Sequence, residues 1–283
     1  MSELKKTDIQ QICESVSLIA LDELYPPEFH PFHVKDDEAM KNLVENIKEN
    51  GVLVPGIVRS RADGGYELIA GNRRKRACEL AGLASMPVIV RQMDDASSAI
   101  VMVDTNFEQR EKLLYSERAW AYWVKMQALG HKGIKDEKQS VDILMEQTGE
   151  SRSQIFRFMR LTELIIELMD KVDTKQLAFN PAVELSYLSK AEQKLVLSTM
   201  EKYGTRPSHS QAIELKKLKQ SEKLSDEKIV SILSTKKITT KAGNTGPYRE
   251  FFPADYTAKQ IEEIIVDLLQ DWQSTHYSKF ESA

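Results

Sequence analysis

Runs that read as β-strands are confined almost wholly to the first third of this 283-residue chain, and helical patterns fill most of the rest. Short β-branched or apolar runs suit strands, whereas apolar recurrence at i, i+3, i+4 suits helices. The strand-like runs are 15–24 (SVSLIALDEL, with its exit), 52–60 (VLVPGIVRS), 65–70 (GYELIA) and 86–92 (MPVIVRQ), with the turn signal ADGG before Tyr66. Between them lie helical stretches. In 36–50, Met40, Leu43, Val44 and Ile47 recur at helical spacing and Gly51 follows as a stop. Residues 72–81 read as a helix ended by Gly82, and 94–110 as a helix with Asp95 near its cap. This interleaving predicts a small mixed α/β domain over 15–112.

From Ser116 onward the pattern is helical, punctuated by N-cap signals. Ser189 with Glu192, and Ser151 with Gln154, have capping-box spacing, and Asn180–Pro181 reads as a cap followed by a first-turn proline. An all-helical domain over 113–220 follows, then a polar linker over 221–250 and a C-terminal helical segment over 251–283. In that segment Thr257 and Gln260 form a capping box, and Ile261, Ile265 and Leu268 offer an apolar face for dimerisation or for packing on the chain itself. The fold class is therefore α+β.

Net charge is −4, so any nucleic-acid binding must come from local patches. Residues 202–241 carry ten Lys/Arg against four acids, and 250–283 carry seven acids against two lysines. A basic middle and an acidic tail suit a DNA-binding part plus a protein-contact part, or simply two solvated surfaces. Cys13 and Cys78 lack metal-ligand spacing and read as reduced thiols. No signal peptide or membrane-spanning run is expected.

The stretch 141–161, VDILMEQTGESRSQIFRFMRL, has helix-turn-helix spacing. Gly149 supplies the turn, while Ile155 and Phe158 sit where a second helix packs on the first. Met145 stands where a small residue would ease that approach. On this reading Ser151, Arg152, Ser153, Gln154 and Arg157 face DNA, since Arg and Gln pair with base edges. The capping box competes for Gln154. An ordinary helical hairpin with a basic face is the alternative.

The stretch ELIAGNRRKRA, 67–77, joins a strand to a helix through Gly71. Helix N-termini favour anions, and Arg73 and Arg74 can fork onto phosphate oxygens, with Arg76 approaching from the side. A nucleoside triphosphate or a DNA backbone would fit. There is no Walker lysine. A second polar cluster, DTNFEQRE at 104–111, places Asn106 and Arg110 on one helical face, and Asn106 or Glu108 can help hold Mg2+ beside phosphates.

In this order, HPF at 30–32, the 36–60 run, Gly71–Ala77, 104–113, SERAWAY at 116–122 and the helix-turn-helix resemble the ParB partition proteins over roughly residues 15–220. The likeness is greatest to the branch of plasmids and integrative conjugative elements. It implies a ParB/sulfiredoxin-like N-terminal domain in which Gly71, Asn72, Arg73, Arg74 and Arg76 bind the phosphates of CTP. Asn106 and Arg110 would hold phosphates, and Asn106 with Glu108 Mg2+. It further implies a palindromic DNA site, a homodimer closing as a DNA clamp, slow CTP hydrolysis, a ParA-type ATPase partner and a cytoplasmic, nucleoid- or plasmid-associated location. Three departures stand out. Asn72 replaces the usual Glu or His, Thr105 replaces Glu, and Arg110 follows Asn106 by four residues instead of three. They make binding a firmer expectation than efficient hydrolysis. The competing readings are a transcription regulator that has lost nucleotide use, and a nucleotide-dependent enzyme or nuclease on the same fold.

Overall fold

The computed structural model describes residues 15–109, 113–133, 137–234, 246–253 and 255–276. The chain divides into two compact units, 1–234 and 235–283. In the first, β1 (Val16–Ala20), β2 (Leu24–Tyr25), β3 (Gly56–Ser60), β4 (Tyr66–Ala70) and β5 (Ser85–Val90) form one mixed sheet in the order β1-β5-β3-β4-β2. The β1–β5 and β3–β4 pairs are antiparallel, and β3–β5 and β2–β4 parallel.

Three helices belong to the sheet: α1 (Glu38–Asn50), α2 (Asn72–Ala81) and α3 (Asp95–Gln109). Helix α1 starts where the Asp37 carboxylate accepts from Met40 N at 2.9 Å. Helix α2 has the bounds its two flanking glycines predict. Strand β3 starts later than the run 52–60 suggests. Pro55 has no N–H for a ladder, and the Val54 and Pro55 carbonyls are both taken by Arg74. Asp94, not Asp95, caps α3, accepting from Ser97 N at 2.7 Å, while Asp95 pairs with Arg59 at 2.6 Å.

The sheet buries apolar side chains on both faces. Val58, Leu68, Met86 and Val88 pack with Met40, Ile47, Ala77 and Cys78 of α1 and α2. Ile69 packs on the other face with Phe32, with Met102 and Val103 of α3, and with Ala121 and Val124 of α4 (Tyr115–His131). Helix α4 serves a second core as well: Ala119, Tyr122 and Met126 pack with Ile155, Phe158, Leu161 and Leu168. The division expected at 112/113 therefore does not separate two bodies.

The helical part comprises α5 (Glu137–Thr148), α6 (Arg152–Arg160), α7 (Ile166–Asp173), α8 (Phe179–Leu185), α9 (Lys190–Tyr203), α10 (His209–Gln220) and α11 (Asp226–Ser234). Helix α11 corrects the linker expected from residue 221. Its Ile229 and Leu233 are fully buried, with Ile232 packed beside them, so the helical core runs to Ser234. The Ser189–Glu192 capping box forms. Helix α8 starts earlier than Asn180–Pro181 suggests. Ala178 is its N-cap and Pro181 its third residue, where a missing N–H costs no intrahelical bond.

One ion pair built on a buried lysine ties these parts together. Lys125 of α4 is 3% exposed and pairs with Asp104 of α3 while also bonding Gln147 of α5. Gln147 donates in turn to Asp104 at 2.9 Å.

The second unit contains α12 (Ala258–His276), which starts at the expected Thr257–Gln260 box. Ile261 is buried, whereas Leu268 is 61% exposed. No helix among the described residues is long and apolar enough to cross a membrane.

Removing one partner of a buried pair leaves an uncompensated charge. Asp104→Ala should therefore lower stability by about 3 kcal/mol in urea denaturation. Gln147→Ala, which removes hydrogen bonds to both charged groups but leaves the ion pair, should cost less, about 1.5 kcal/mol.

Candidate functional site

Strand β4 ends at Ala70, and the chain turns into α2 through Gly71 at φ 116°. That conformation suits glycine, and a Cβ there would lie 3.2 Å from the Gly56 Cα of β3. The turn places the N-terminus of α2 at a recess of about 110 Å³ lined by His30, Ala70, Gly71, Asn72, Arg73, Arg74, Thr105 and Asn106. The two motifs that sequence placed far apart, at 71–77 and 104–111, thus meet at one site. His30, from the HPF stretch, and Thr105, within the second motif, line it too, although the sequence assigned neither to the site.

Arg74 is half-buried, and its Nη1 donates to the Val54 and Pro55 carbonyls at 2.5 and 2.6 Å. It has no carboxylate partner among the described residues, and burial lowers its pKa from the usual arginine value. An anion would relieve that unbalanced charge. Asn72 donates from Nδ2 to His30 Nε2 at 3.0 Å, and His30 Nδ1 donates to Phe32 O at 2.8 Å, which assigns the neutral tautomer. Asn106 donates from Nδ2 to Met102 O at 2.8 Å, so its Oδ1 is the atom left to accept or to coordinate.

The remaining expected residues fall elsewhere. Arg76 lies outside the recess. It pairs with Asp36 at 2.7 Å and Glu79 at 3.3 Å, and the Asp36 hydrogen bond raises its pKa. Arg73 and Arg76 are three residues apart and share a face towards Asp36 and Asp37, whereas Arg74 points the other way. Glu108 is exposed and does not line the recess. Asp104 is held by Lys125. Arg110 lies outside the described residues. Of the two residues expected to hold Mg2+, Asn106 lines the recess and Glu108 does not, and no group of three His, Cys, Asp or Glu side chains that could hold a metal occurs among the described residues.

The helix-turn-helix forms as α5, a turn at Gly149 (φ 70°) and α6, with Ile155 and Phe158 buried. Met145 is accommodated by packing half-buried against the helical core. Ser151 caps α6, accepting from Gln154 N at 3.3 Å. The Gln154 side chain does not complete the box. Its Oε1 instead accepts from Arg157 at 3.4 Å. Arg157 also donates to Asn180 Oδ1 at 2.6 Å and lies over the Phe179 ring. Gln154, Arg157 and Asn180 thus form one polar cluster. Asn180 was hidden from sequence by its apparent capping role. Arg152 is turned back onto Asp142 at 2.9 Å, and Ser153 is exposed.

Residues 5–107 match the ParB N-terminal domain. The nucleoid occlusion protein of Listeria innocua is 30% identical over 197 residues, 70% of this chain and 65% of that protein. The probable chromosome-partitioning protein ParB of Vibrio cholerae is 28% identical over 195 residues, 67% of this chain and 64% of that protein. The chain thus spans just under two thirds of these relatives' length. Among solved structures, C-terminally truncated ParB of Caulobacter crescentus bound to the centromeric parS site is 23% identical. It covers 77% of this chain and 98% of that one, with a TM-score of 0.42. The same protein complexed with CTP-γ-S is 28% identical and covers 65% and 99%, with a TM-score of 0.32. The mixed α/β unit is a ParB N-terminal domain.

Gly71→Ala forces a side chain into a left-handed turn against Gly56. It should cost about 1–3 kcal/mol in thermal or urea unfolding. Gly82→Ala is the comparison: it is also left-handed, at φ 78°, but has open space around it, so its cost should be smaller.

Proposed function

We propose that this chain is a DNA-binding protein of partition or nucleoid-occlusion type whose recess binds the phosphates of CTP. The observation that carries this reading is the meeting of Gly71–Arg74 with Thr105–Asn106 around a half-buried arginine that has no carboxylate partner among the described residues. The names of the Listeria and Vibrio relatives support the biological class, and the likeness of Gly71–Ala77 to the family's phosphate motif supports CTP.

The first amides of α2 and the free donors of Arg74 take the phosphates, with Asn72 and Asn106 bounding the site. Mg2+ enters with the phosphates, with Asn106 its protein ligand. Helix α6 presents Gln154 and Arg157, with Asn180 of α8 beside them, to a DNA major groove, and a homodimer reads a palindromic site. Nucleotide binding closes two N-terminal domains around DNA. A ParA-type ATPase is the partner that fits a segregation role, and a plasmid or mobile element is the setting that the sequence likeness favours. A cytoplasmic protein attached to nucleoid or plasmid DNA follows from that role.

The recess and the α6 face make separable demands. Arg74→Ala should abolish CTP binding in calorimetry while leaving retention of specific DNA, recovered from a genomic fragment library, within twofold. Arg157→Ala should weaken that DNA binding by about 1–3 kcal/mol and spare CTP binding. Loss of both activities in either variant would contradict the division.

A further inference from the structure

We propose that Asp37 is a built-in competitor for the phosphate site: it engages Arg73 until an anion displaces it, and so sets the affinity of the recess. This rests on the phosphate-binding reading above and names a regulation of that same site. Arg73 lines the recess, yet its Nη2 donates to Asp37 Oδ1 at 3.2 Å. The same oxygen accepts from Met40 N at 2.9 Å, so one carboxylate caps α1 and holds an arginine of the recess.

The carboxylate is the fixed member of this pair. The segment before it is pinned by Phe32, 2% exposed, and by His33 N, which donates to the buried Glu117 of α4 at 2.8 Å. The segment after it is α1, anchored by the buried Met40 and Ile47. Arg73 is a long side chain on one Cα, so it is the member that moves. The two recess arginines therefore differ in kind. Arg74 has no carboxylate to surrender and is a standing donor. Arg73 must exchange a carboxylate for the incoming anion. A single carboxylate gains nothing by that exchange, whereas a phosphate brings more charge and more acceptor oxygens. Asp37 thereby biases the recess towards polyphosphates.

Asp36 supplies the internal control. It is the adjacent acid, but its partner Arg76 lies outside the recess. Asparagine caps helices about as well as aspartate, so Asp37→Asn keeps the start of α1 while removing the charge that competes. A partly exposed ion pair of this kind limits the gain to about two- to fivefold.

Full-length wild type, Asp37→Asn and Asp36→Asn are titrated calorimetrically with CTP plus Mg2+ and with inorganic tripolyphosphate, and folding is checked by thermal melts. The expected result is about two- to fivefold tighter binding by Asp37→Asn and unchanged binding by Asp36→Asn. Equal affinity of wild type and Asp37→Asn overturns the inference and leaves the phosphate reading standing. Equal gains in both variants overturn it too, because they show a general field effect. Should no form bind either probe, the phosphate reading falls, and the inference with it.

Discussion

The left-handed turn at Gly71 is the constraint on which the site depends. It is the point where β4 passes into α2, and it brings Gly71 against Gly56 of β3. With a side chain at either glycine the two strands' ends could not approach so closely. Because they do, the amide end of α2 and Arg74 enter the same recess. The carbonyls of Val54 and Pro55 then hold Arg74 in place, which is also why β3 begins only at Gly56. Backbone geometry, helix polarity and side-chain charge thus converge on one small volume where an anion is favoured.

That recess is joined by direct contacts to the helix-turn-helix. Asn106 bounds it, and Asp104, half a turn earlier on α3, forms the ion pair with the buried Lys125 of α4, which also binds Gln147 of α5. Helix α5 is the first helix of the helix-turn-helix. Helix α4 contributes to the core beneath the sheet and to the helical core alike. The loop before α1 is a second link, with His30 on the recess and His33 bonded to Glu117 of α4. The recess is thus connected to α4 through two sets of contacts.

Much of this was legible in the sequence wherever the cause is local. Helix α2 is bounded by two left-handed glycines and α1 ends at the Gly51 stop, so these limits could be read directly, whereas α1 starts after the Asp37 cap and not at residue 36. The helix-turn-helix was visible because Gly149, Ile155 and Phe158 carry its spacing. What the sequence hid depends on distant partners. His30 lies 42 residues before Asn72 in an irregular loop, and no periodicity connects them. Arg76 looked like a third phosphate ligand because it sits beside Arg73 and Arg74, yet Asp36, 40 residues earlier, claims it. Asn180 was read as a helix cap, whereas the helix starts before it and its side chain is used by Arg157. Helix α11 was lost in a basic, polar stretch because two or three apolar residues suffice to bury so short an element.

The central claim is that an anion recess at Gly71 recognises a nucleotide. The most direct measurement is calorimetric titration of the full-length protein with CTP, ATP and GTP, each with Mg2+ and each repeated with bound DNA. Saturable binding of CTP, with little heat from ATP or GTP, is the predicted result. Absence of binding by all three nucleotides, with and without DNA, would contradict the account and leave Arg73 and Arg74 as contacts to a DNA backbone.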